Sequence, residues 1–421
     1  MAGELPHGTT PPRGLPPPEK IQWPLVPSRE LFELRYGRAL VASNRRPGTV
    51  PVYGTNGQCG THDEALFKGP GVILGRKGQG PLGVEWSEDD YWVIDTAYSL
   101  KPLRSDVDLR FAYFMVSYIG LNHLKDGTSN PTLSRDSFGA QALPLPPHDH
   151  QLAIACILGT LDDKIELNRQ MSETLETMAR ALFKSWFVDF EPVRAKAEGR
   201  DPGLPSDLAA LFPDRLVESE HGEIPEGWKA TCVGEEFDLT MGQSPPGDTY
   251  NEDEEGIPFY QGRADFQTRF PKRRVYCTAP TRFAKAGDTL ISVRAPVGDI
   301  NMAGEDCAIG RGVAAARHKS GSRSYTFQFM RGLEVVFARF EAEGTVFGSI
   351  NKTDFHAISS VAPPTRVVSA FEAMLTTLDD RIESAAVESH TLAALRDTLL
   401  PKLISGELRV DDAEKFVGRT L

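Results

Sequence analysis

One stretch constrains the fold more than any other, because residues 148–190 carry a helical pattern without interruption. Apolar residues recur at three- and four-residue steps from Leu158 to Trp186, which places a stripe along one face of a helix. The stretch contains no Gly or Pro after Gly159. At 1.5 Å per residue such a helix is roughly 60 Å long. A helix of that length with one narrow apolar stripe requires a partner helix.

The chain supplies this partner itself, since the pattern recurs in residues 365–406. Leu378 to Glu383 repeats Leu161 to Glu166 with an offset of 217 residues. The same offset carries Pro146-Pro147, Phe138 and Gly127-Thr128 onto Pro363-Pro364, Phe355 and Gly344-Thr345. The sequence therefore predicts two copies of one unit, each a globular part followed by a long helix. Two like units usually pack about a twofold axis, which would make the two helices antiparallel.

We predict that the two apolar stripes form the helix–helix interface of an antiparallel coiled coil. Asn168 lies on the stripe and corresponds to Ala385, so the halves differ; a polar residue there can fix the register. Asp162-Asp163 and Asp379-Asp380 are predicted on the solvent side, paired with basic residues of their own helix. The predicted interface residues are Leu161, Ile165, Leu175, Met178 and Leu182 of the first helix and Leu378, Ile382, Leu392, Leu395 and Leu399 of the second.

Composition divides the rest of the chain. Residues 1–20 are rich in Pro and Gly and predict a disordered tail. Short strand-like runs separated by turn residues predict strand-rich domains, and the predicted fold class is α+β. The predicted division is a tail at 1–20, a first domain at 21–147, its helix at 148–190, a linker at 191–223, a second domain at 224–364, its helix at 365–406 and a tail at 407–421.

The net charge of −12 argues against nonspecific coating of nucleic acid but permits a local basic face. Between Gln261 and Arg294 there are eight basic residues against two acidic ones, with aromatic residues among them. Two interpretations remain open for this run, a phosphate-facing surface or an ordinary solvated face. The sequence has no apolar run near 18 residues and no signal-peptide pattern, so we expect a cytoplasmic protein.

Motifs for catalysis are missing from the sequence. It contains no phosphate-binding G-x-x-x-x-G-K-[ST] loop, no G-x-G-x-x-G after a strand and no paired Cys and His set for zinc. Asn130 to Leu133 superficially resembles the Asn-Pro-Pro-aromatic motif of amino-methyltransferases, but it lacks the second Pro and the aromatic residue. We predict a loop turn there. The chain is therefore expected to be no enzyme and to hold no metal.

This arrangement resembles the specificity subunit of type I restriction-modification enzymes over residues 21–406. In that family the Pro-Pro turn is commonly followed by Glu-Gln, whereas this chain has His150-Gln151 and Val367-Val368. That departure lies at the start of each long helix and not in the part expected to read DNA. The most specific parts of the resemblance are Leu143 to Pro147, Leu161 to Glu166, Ala181 to Phe187, Ile224 to Trp228 and Leu403 to Leu408.

The resemblance implies that each globular part is a target-recognition domain that binds double-stranded DNA. It also implies that the helix pair is a spacer and the docking surface for two modification subunits, which methylate adenine with S-adenosylmethionine. Restriction subunits would cleave DNA with ATP and Mg, so this chain would hold no cofactor itself. Two domains on a fixed helical strut would read half-sites about one duplex turn apart, ~34–36 Å.

Loop side chains suited to reading bases in the major groove are the candidate DNA-binding residues. Two alternatives stay open, a specificity subunit of a type IIB-like system and a coiled-coil scaffold whose globular parts read no DNA. The candidates are Arg45, Arg46, Thr55, Asn56, Arg76, Lys77 and Arg135 in the first domain and Gln243, Ser244, Gln261, Arg263, Arg294, Arg311 and Lys352 in the second.

Overall fold

The computed structural model describes residues 5–343 and 348–417. The chain forms two compact units, unit 1 with residues 1–169 and 386–421 and unit 2 with residues 170–385. The boundary falls inside both long helices, so each unit contains one part of each helix. The repeated Gly344-Thr345 pair lies outside the described residues.

Unit 1 is built on a four-stranded antiparallel sheet of order β2-β8-β5-β6, beside a three-stranded sheet of order β4-β3-β7. Two small pairs, β1 with β11 and β9 with β10, complete it. Its strands are β1 Leu25–Pro27, β2 Phe32–Tyr36, β3 Val50–Gly54, β4 Gly57–His62, β5 Gly71–Gly75, β6 Val84–Ser87, β7 Trp92–Val93, β8 Ala97–Pro102, β9 Lys125–Asp126, β10 Thr132–Leu133 and β11 Ala142–Pro144. Its helices are α1 Ser28–Leu31, α2 Leu109–Ile119, α3 Arg135–Gly139 and the first part of α4 His148–Phe187.

Helix α2 covers the main sheet of unit 1 and shows how the sequence forms its elements. The Asp108 side chain caps it by accepting a hydrogen bond of 2.7 Å from the Phe111 backbone nitrogen, which satisfies one of the free N–H groups of the first turn. Gly120 ends it with a φ of +69°, a conformation that glycine adopts without strain. Phe111 and Met115 of this helix pack into one core with the wholly buried strand β5.

Unit 2 repeats this plan with a four-stranded sheet of order β15-β23-β20-β21 and a five-stranded sheet of order β16-β18-β17-β22-β19. The pairs β12 with β13 and β14 with β24 complete it. Its strands are β12 Leu216–Ser219, β13 Gly222–Pro225, β14 Lys229–Cys232, β15 Phe237–Met241, β16 Tyr250–Asn251, β17 Ile257–Tyr260, β18 Tyr276–Cys277, β19 Phe283–Ala284, β20 Thr289–Val293, β21 Val297–Met302, β22 Cys307–Ile309, β23 Val313–His318 and β24 Ser359–Ala362. Its helices are α5 Glu191–Ala197, α6 Ser206–Ala209, α7 Val233–Glu236, α8 Arg323–Gly332, α9 Glu334–Glu343, α10 Lys352–His356, the second part of α4 and the first part of α11 Thr365–Ser405.

The two units have the same topology, as the repeat predicts. Strand β3 runs parallel to β7 in unit 1, and β17 runs parallel to β22 in unit 2. Helices α3 and α10 begin 217 residues apart after the capping residues Ser134 and Asn351. Phe138 and Phe355 are both buried in the cores of their units. The predicted α+β fold of two strand-rich domains, each followed by a long helix, is confirmed.

Both long helices form, and within each unit their segments pack antiparallel. The central helix α4 ends at Phe187, three residues before the predicted end, because Phe190 takes a left-handed φ of +54° and starts α5. The C-terminal helix α11 ends at Ser405, followed by Gly406 with a φ of +81°. Such a residue commonly terminates a helix.

The residues of the predicted helix interface differ in burial. Leu161, Ile382, Leu392 and Leu399 are buried, and the other members except Met178 are partly buried. Met178 requires a correction, since it is 54% exposed. In that part of α4 the buried face consists of Glu176, Ala179, Phe183 and Trp186, one position along from the predicted Leu175, Met178 and Leu182.

The paired aspartates also require a correction. Asp162 accepts a hydrogen bond of 2.6 Å from Arg396 on α11, and Asp163 lies 3.2 Å from Arg110 on α2. Asp379 is only 4% exposed. These carboxylates therefore connect different elements of one unit instead of pairing with basic residues of their own helix.

Asn168 is a buried polar residue in the helix pair of unit 1. It is 1% exposed, and its amide nitrogen donates to Glu388 Oε2 at 2.7 Å and to Ser389 Oγ at 3.3 Å. A hydrogen bond of this kind is lost when the helices slide by a turn, so it favours a single register.

Three segments predicted as tails or linker contain ordered structure. In the N-terminal segment, Thr10 donates its backbone N–H to Ala140 O at 2.9 Å and accepts from Ala142 at 3.0 Å. Residues 191–223 contain α5, α6 and strand β12, and Phe212 there is 2% exposed. After Gly406 a further helix of unit 1, α12 Val410–Val417, buries Ala413. These segments are held by isolated apolar residues and by backbone hydrogen bonds. Such contacts leave no periodic pattern in the sequence, so the sequence did not predict them.

A buried ion cluster holds the strand-rich domain of unit 2 to its two helix segments. Arg269, 4% exposed, donates to Glu176 Oε1 of α4 at 2.8 Å and to Asp379 Oδ1 of α11 at 2.5 Å. Its guanidinium lies 3.7 Å from the ring centroid of Phe327. Arg331 also pairs with Glu176, and burial lowers the pKa of Arg331 while Glu176 opposes that shift. Two cations and two carboxylates balance within this cluster.

Replacing Arg269 by Met leaves Arg331 alone to balance Glu176 and Asp379, so one buried negative charge is unbalanced, which typically costs about 3–5 kcal/mol. We expect the free energy of unfolding of unit 2 to fall by that amount. Hydrogen exchange of strands β20 and β23 measures it, with β5 and β8 of unit 1 as the internal reference. The control is Arg273→Met, because Arg273 forms an exposed pair with Glu305 that contributes about 0–1 kcal/mol. Equal effects of the two substitutions would contradict the role of the buried cluster.

Candidate nucleic-acid interface

In unit 1 the loops that follow strands β2, β3, β5 and β7 meet at one edge of the fold. Arg38 N donates to Val93 O at 2.8 Å, and Arg76 N donates to Thr96 O at 2.9 Å. Leu133 N donates to Arg76 O at 2.7 Å, which adds the segment before α3. We call this surface edge 1, comprising residues 36–38, 54–57, 76–83, 94–96 and 130–135.

Unit 2 has the corresponding surface. Gln243 N donates to Ile309 O at 3.1 Å, and Val293 N donates to Gly312 O at 2.9 Å. Ile350 N donates to Val293 O at 3.1 Å, which adds the segment before α10. We call this surface edge 2, comprising residues 241–244, 260–263, 293–296, 309–312 and 348–352.

One glycine at each edge is required by close packing of the backbone. A Cβ atom on Gly37 would lie less than 3.0 Å from the carbonyl oxygen of Ile94, and one on Gly242 would lie equally close to that of Gly310. Only a residue without Cβ permits such an approach. Both glycines follow the first strand of the main sheet, so the same constraint shapes the two edges.

Most candidates of the first domain lie at edge 1. Thr55 Oγ1 donates to Lys77 O at 2.9 Å, and Lys77 Nζ donates to Asp95 Oδ2 at 3.1 Å. The Asn56 amide nitrogen donates to the carbonyl oxygen of Pro81. Arg76 donates from Nη1 to Asp95 O at 3.1 Å. These contacts fix the loops and leave an exposed surface of polar and basic groups.

Arg45 and Arg46 lie away from edge 1. Arg45 donates to the carbonyl oxygen of Cys59 and so supports the β3–β4 hairpin. Arg46 Nε donates to Asp63 Oδ2 at 2.7 Å, and this hydrogen bond lowers the pKa of the Asp63 carboxyl. Asp63 follows His62, which pairs with Val50 at the far end of the hairpin from the Gly54–Gly57 turn, roughly 13 Å along a strand.

The candidates of the second domain all lie at edge 2. Ser244 Oγ accepts from Arg311 N at 3.5 Å, and Gln261 N donates to Asp265 Oδ2 at 2.8 Å. Arg263 lies 3.3 Å from Asp299 Oδ2. Gln243, Arg294, Arg311 and Lys352 are exposed. Within the described residues, the guanidinium groups of Arg294 and Arg311 are not paired with a carboxylate.

The basic run from Gln261 to Arg294 does not form one phosphate-facing surface. Arg269 is buried, Arg273 pairs with Glu305 at 2.5 Å, and Arg274 pairs with Asp265 at 2.9 Å. With Arg263, which pairs with Asp299, four of the eight basic residues of the run are therefore paired with carboxylates of unit 2. Charge spacing along a sequence cannot reveal this, because the acidic partners Glu176, Glu305 and Asp379 come from distant segments.

Sequence reasoning missed three residues at or beneath edge 1. Tyr36 is 49% exposed at the end of β2, and Arg38 is exposed one residue after Gly37. Glu85 on β6 lies beneath the turn at Gly57, and burial raises the pKa of its carboxyl. The available signal for Arg38 was the preceding glycine, because a glycine directly follows the first strand of the main sheet in both repeats.

In the described part of the chain, no group of three or more His, Cys, Asp or Glu side chains is arranged to hold a metal ion. Among the same residues, no helix has the length and apolar character needed to cross a membrane.

Comparison with known proteins agrees with this geometry. Residues 20–177 match the family model of the type I restriction modification DNA specificity domain. A Methanocaldococcus jannaschii protein named "Putative type I restriction enzyme MjaX specificity subunit" is 29% identical over 321 residues, 74% of this chain and 71% of that protein. The type I restriction enzyme HindI specificity subunit of Haemophilus influenzae is 25% identical over 336 residues, 66% of this chain and 71% of its own length.

Over most of its length the chain is similar to type I restriction specificity subunits. The crystal structure of the type I restriction-modification S subunit from M. genitalium has the same fold, with a TM-score of 0.60 at 17% identity over 91% of this chain and 96% of that one. The similarity to these specificity subunits agrees with the prediction of a non-catalytic specificity subunit. The roles of the individual candidate residues stay predictions.

The close approach at Gly242 can be tested by substitution with Ala. The added Cβ meets backbone carbonyl oxygens that cannot move aside, and overpacking of this kind typically costs about 1–3 kcal/mol. Hydrogen exchange of β15 and β23 should show that loss in unit 2. Gly247→Ala is the matched control, because a Cβ there meets nothing within 4 Å. If the hydrogen-exchange protection of β15 and β23 is unchanged in Gly242→Ala, the loop adapts to the added Cβ and the close approach is not a constraint.

Proposed function

We propose that this specificity subunit recognises a two-part DNA sequence, with edge 1 reading one half and edge 2 reading the other. The observation that supports this most directly is that the same loop edge occurs in both units with different side chains. In the strand register, Asn56 and Arg76 of edge 1 stand where edge 2 has Arg263 and Val293. Two readers with one framework and different donors would select two different half-sites.

Each edge combines groups suited to two kinds of DNA contact. Basic side chains at phosphates would position the domain, and contacts to base edges would specify the sequence. Arg can donate two hydrogen bonds to guanine, while Asn or Gln can do so with adenine. Exposed Arg294 and Arg311, together with Gln243 and Gln261, therefore provide edge 2 with donors for both purines.

The proposal includes the partners of the complex. What supports partners of this kind, other subunits of a complex and DNA, is the similarity of the chain to type I specificity subunits. We further propose that two modification subunits dock on the helix pair and methylate adenine with S-adenosylmethionine, and that restriction subunits cleave with ATP and Mg. The complex would act on DNA in the cytoplasm. The scaffold and type IIB-like alternatives are not favoured, because the named relatives are type I specificity subunits.

The direct test is co-expression with the cognate modification subunits, followed by mapping of methylated adenines in the host DNA. A split motif, two short defined halves around a fixed gap, is the expected result. If the subunits purify together but no methylated motif appears, the DNA-reading assignment fails while docking stands. Failure to co-purify would favour the scaffold alternative.

The same assay tests edge 2 with Arg294→Ala. Loss of a bidentate contact to a base costs about 1–3 kcal/mol at that base, so we expect one position of one half-site to become degenerate while the other half stays unchanged. Arg273→Ala is the matched control, because the Arg273 guanidinium is paired with Glu305, whereas that of Arg294 is exposed without a carboxylate partner in the described residues. A uniform loss across sequences, with a flatter salt dependence, would instead assign Arg294 to a phosphate.

A further inference from the structure

Two arginines of edge 1 share one exposed aromatic ring. The Cζ atom of Arg76 lies 4.8 Å from the ring centroid of Tyr36, and that of Arg135 lies 4.2 Å from the same centroid. Arg76 is also 5.4 Å from the ring of Tyr98, which is 5.1 Å from that of Tyr36. We call Tyr36, Arg76 and Arg135 the Tyr36 stack.

The two cations of the stack are held by aromatic faces and not by carboxylates. Arg76 Nη1 donates to the backbone carbonyl oxygen of Asp95, while the Asp95 carboxylate accepts from Lys77. In the described part of the chain neither Arg76 nor Arg135 has a carboxylate partner, unlike Arg46 with Asp63 and Glu64. Cation–π contacts stabilise such groups, yet the positive charge stays available to a ligand.

Stacking also determines what these arginines can bind. A guanidinium that lies over a ring keeps its N–H donors in its own plane, where they can pair with two acceptors at once. The ring restricts its rotamers beforehand, so less conformational entropy is lost on binding. The matching acceptor pair in the major groove is O6 and N7 of guanine.

Unit 2 shows that the fold does not need this stack. In unit 1 Tyr36 pairs with Tyr98 in the β2–β8 register, and the corresponding pair of β15 and β23 is Met241 with Ala314. One basic position of the stack is kept, since Lys352 starts α10 as Arg135 starts α3. Arg76 instead corresponds to Val293, because Leu133 N donates to Arg76 O and Ile350 N donates to Val293 O. The same framework therefore forms without the aromatic pair. Because Tyr36 is also half exposed, packing of the core does not explain it.

We propose that Tyr36 is a positioning residue that sets specificity, holding Arg76 and Arg135 as a preorganised pair of donors for a guanine in the half-site read by unit 1. This inference rests on the proposed function. It assigns a guanine to the half-site read by edge 1, and it gives unit 1 a recognition feature that unit 2 lacks.

The test maps the methylated motif of the full complex for Tyr36→Met, which installs the residue of unit 2. We expect one guanine of one half-site to become degenerate, with methylation at the original motif reduced about 10-fold or more and the other half unchanged. Tyr36→Phe keeps the ring and should keep the motif. Arg76→Lys keeps the charge but loses the bidentate donors, so it should reproduce the Tyr36→Met motif.

The matched control is Arg35→Met, since Arg35 lies on the same strand and its guanidinium is 4.9 Å from the ring of Phe67, away from edge 1. It should leave the motif unchanged. An unaltered motif in Tyr36→Met, or a uniform loss at all sequences with a flatter salt dependence, would overturn the guanine assignment. Absence of a split motif in the wild-type complex would instead overturn the proposed function itself.

Discussion

The structure depends on burial of the apolar faces of the two long helices. In unit 1 the sheet and helix α2 share one core with Leu161 of α4 and with Leu392 and Leu403 of α11. In unit 2 the equivalent core contains Phe183 of α4 and Phe371 of α11. A single antiparallel sheet with one covering helix leaves apolar surface in water, and each helix segment removes part of it. The helices are therefore components of both recognition domains as well as connections.

The long helices were predictable because their pattern is long and local. Which face of each helix is buried was harder to predict. The stripe read from the sequence passes through Leu175 and Met178, whereas the structure buries Glu176 and Ala179, one position further along the helix. A buried glutamate is tolerated there only because Arg269 and Arg331 come from elsewhere in unit 2 to balance it. A periodicity argument counts apolar residues and cannot anticipate a polar one that tertiary contacts have neutralised.

The candidate site could be located more reliably than its chemistry. The candidates were chosen as loop side chains suited to reading bases, and the structure brings Thr55, Arg76 and Arg135 together at edge 1. Charge counting misled at the second domain, because Arg269 and Arg273 are paired with carboxylates that lie outside the basic run in sequence. Tyr36 was missed for a related reason: an aromatic residue at the end of a strand is typical of a core, and its exposure depends on the neighbouring loops.

The two units separate what the fold requires from what recognition requires. Gly37 and Gly242 are constrained alike by the close backbone approach, and Phe138 and Phe355 fill equivalent core positions. At the edges, by contrast, Tyr36 and Tyr98 in one unit stand where Met241 and Ala314 occupy the other. Side chains at an exposed edge contribute little to stability, since surface substitutions usually change it by only about 0.5 kcal/mol in either direction. A framework of this kind can change the sequence it reads without changing the core that holds its loops.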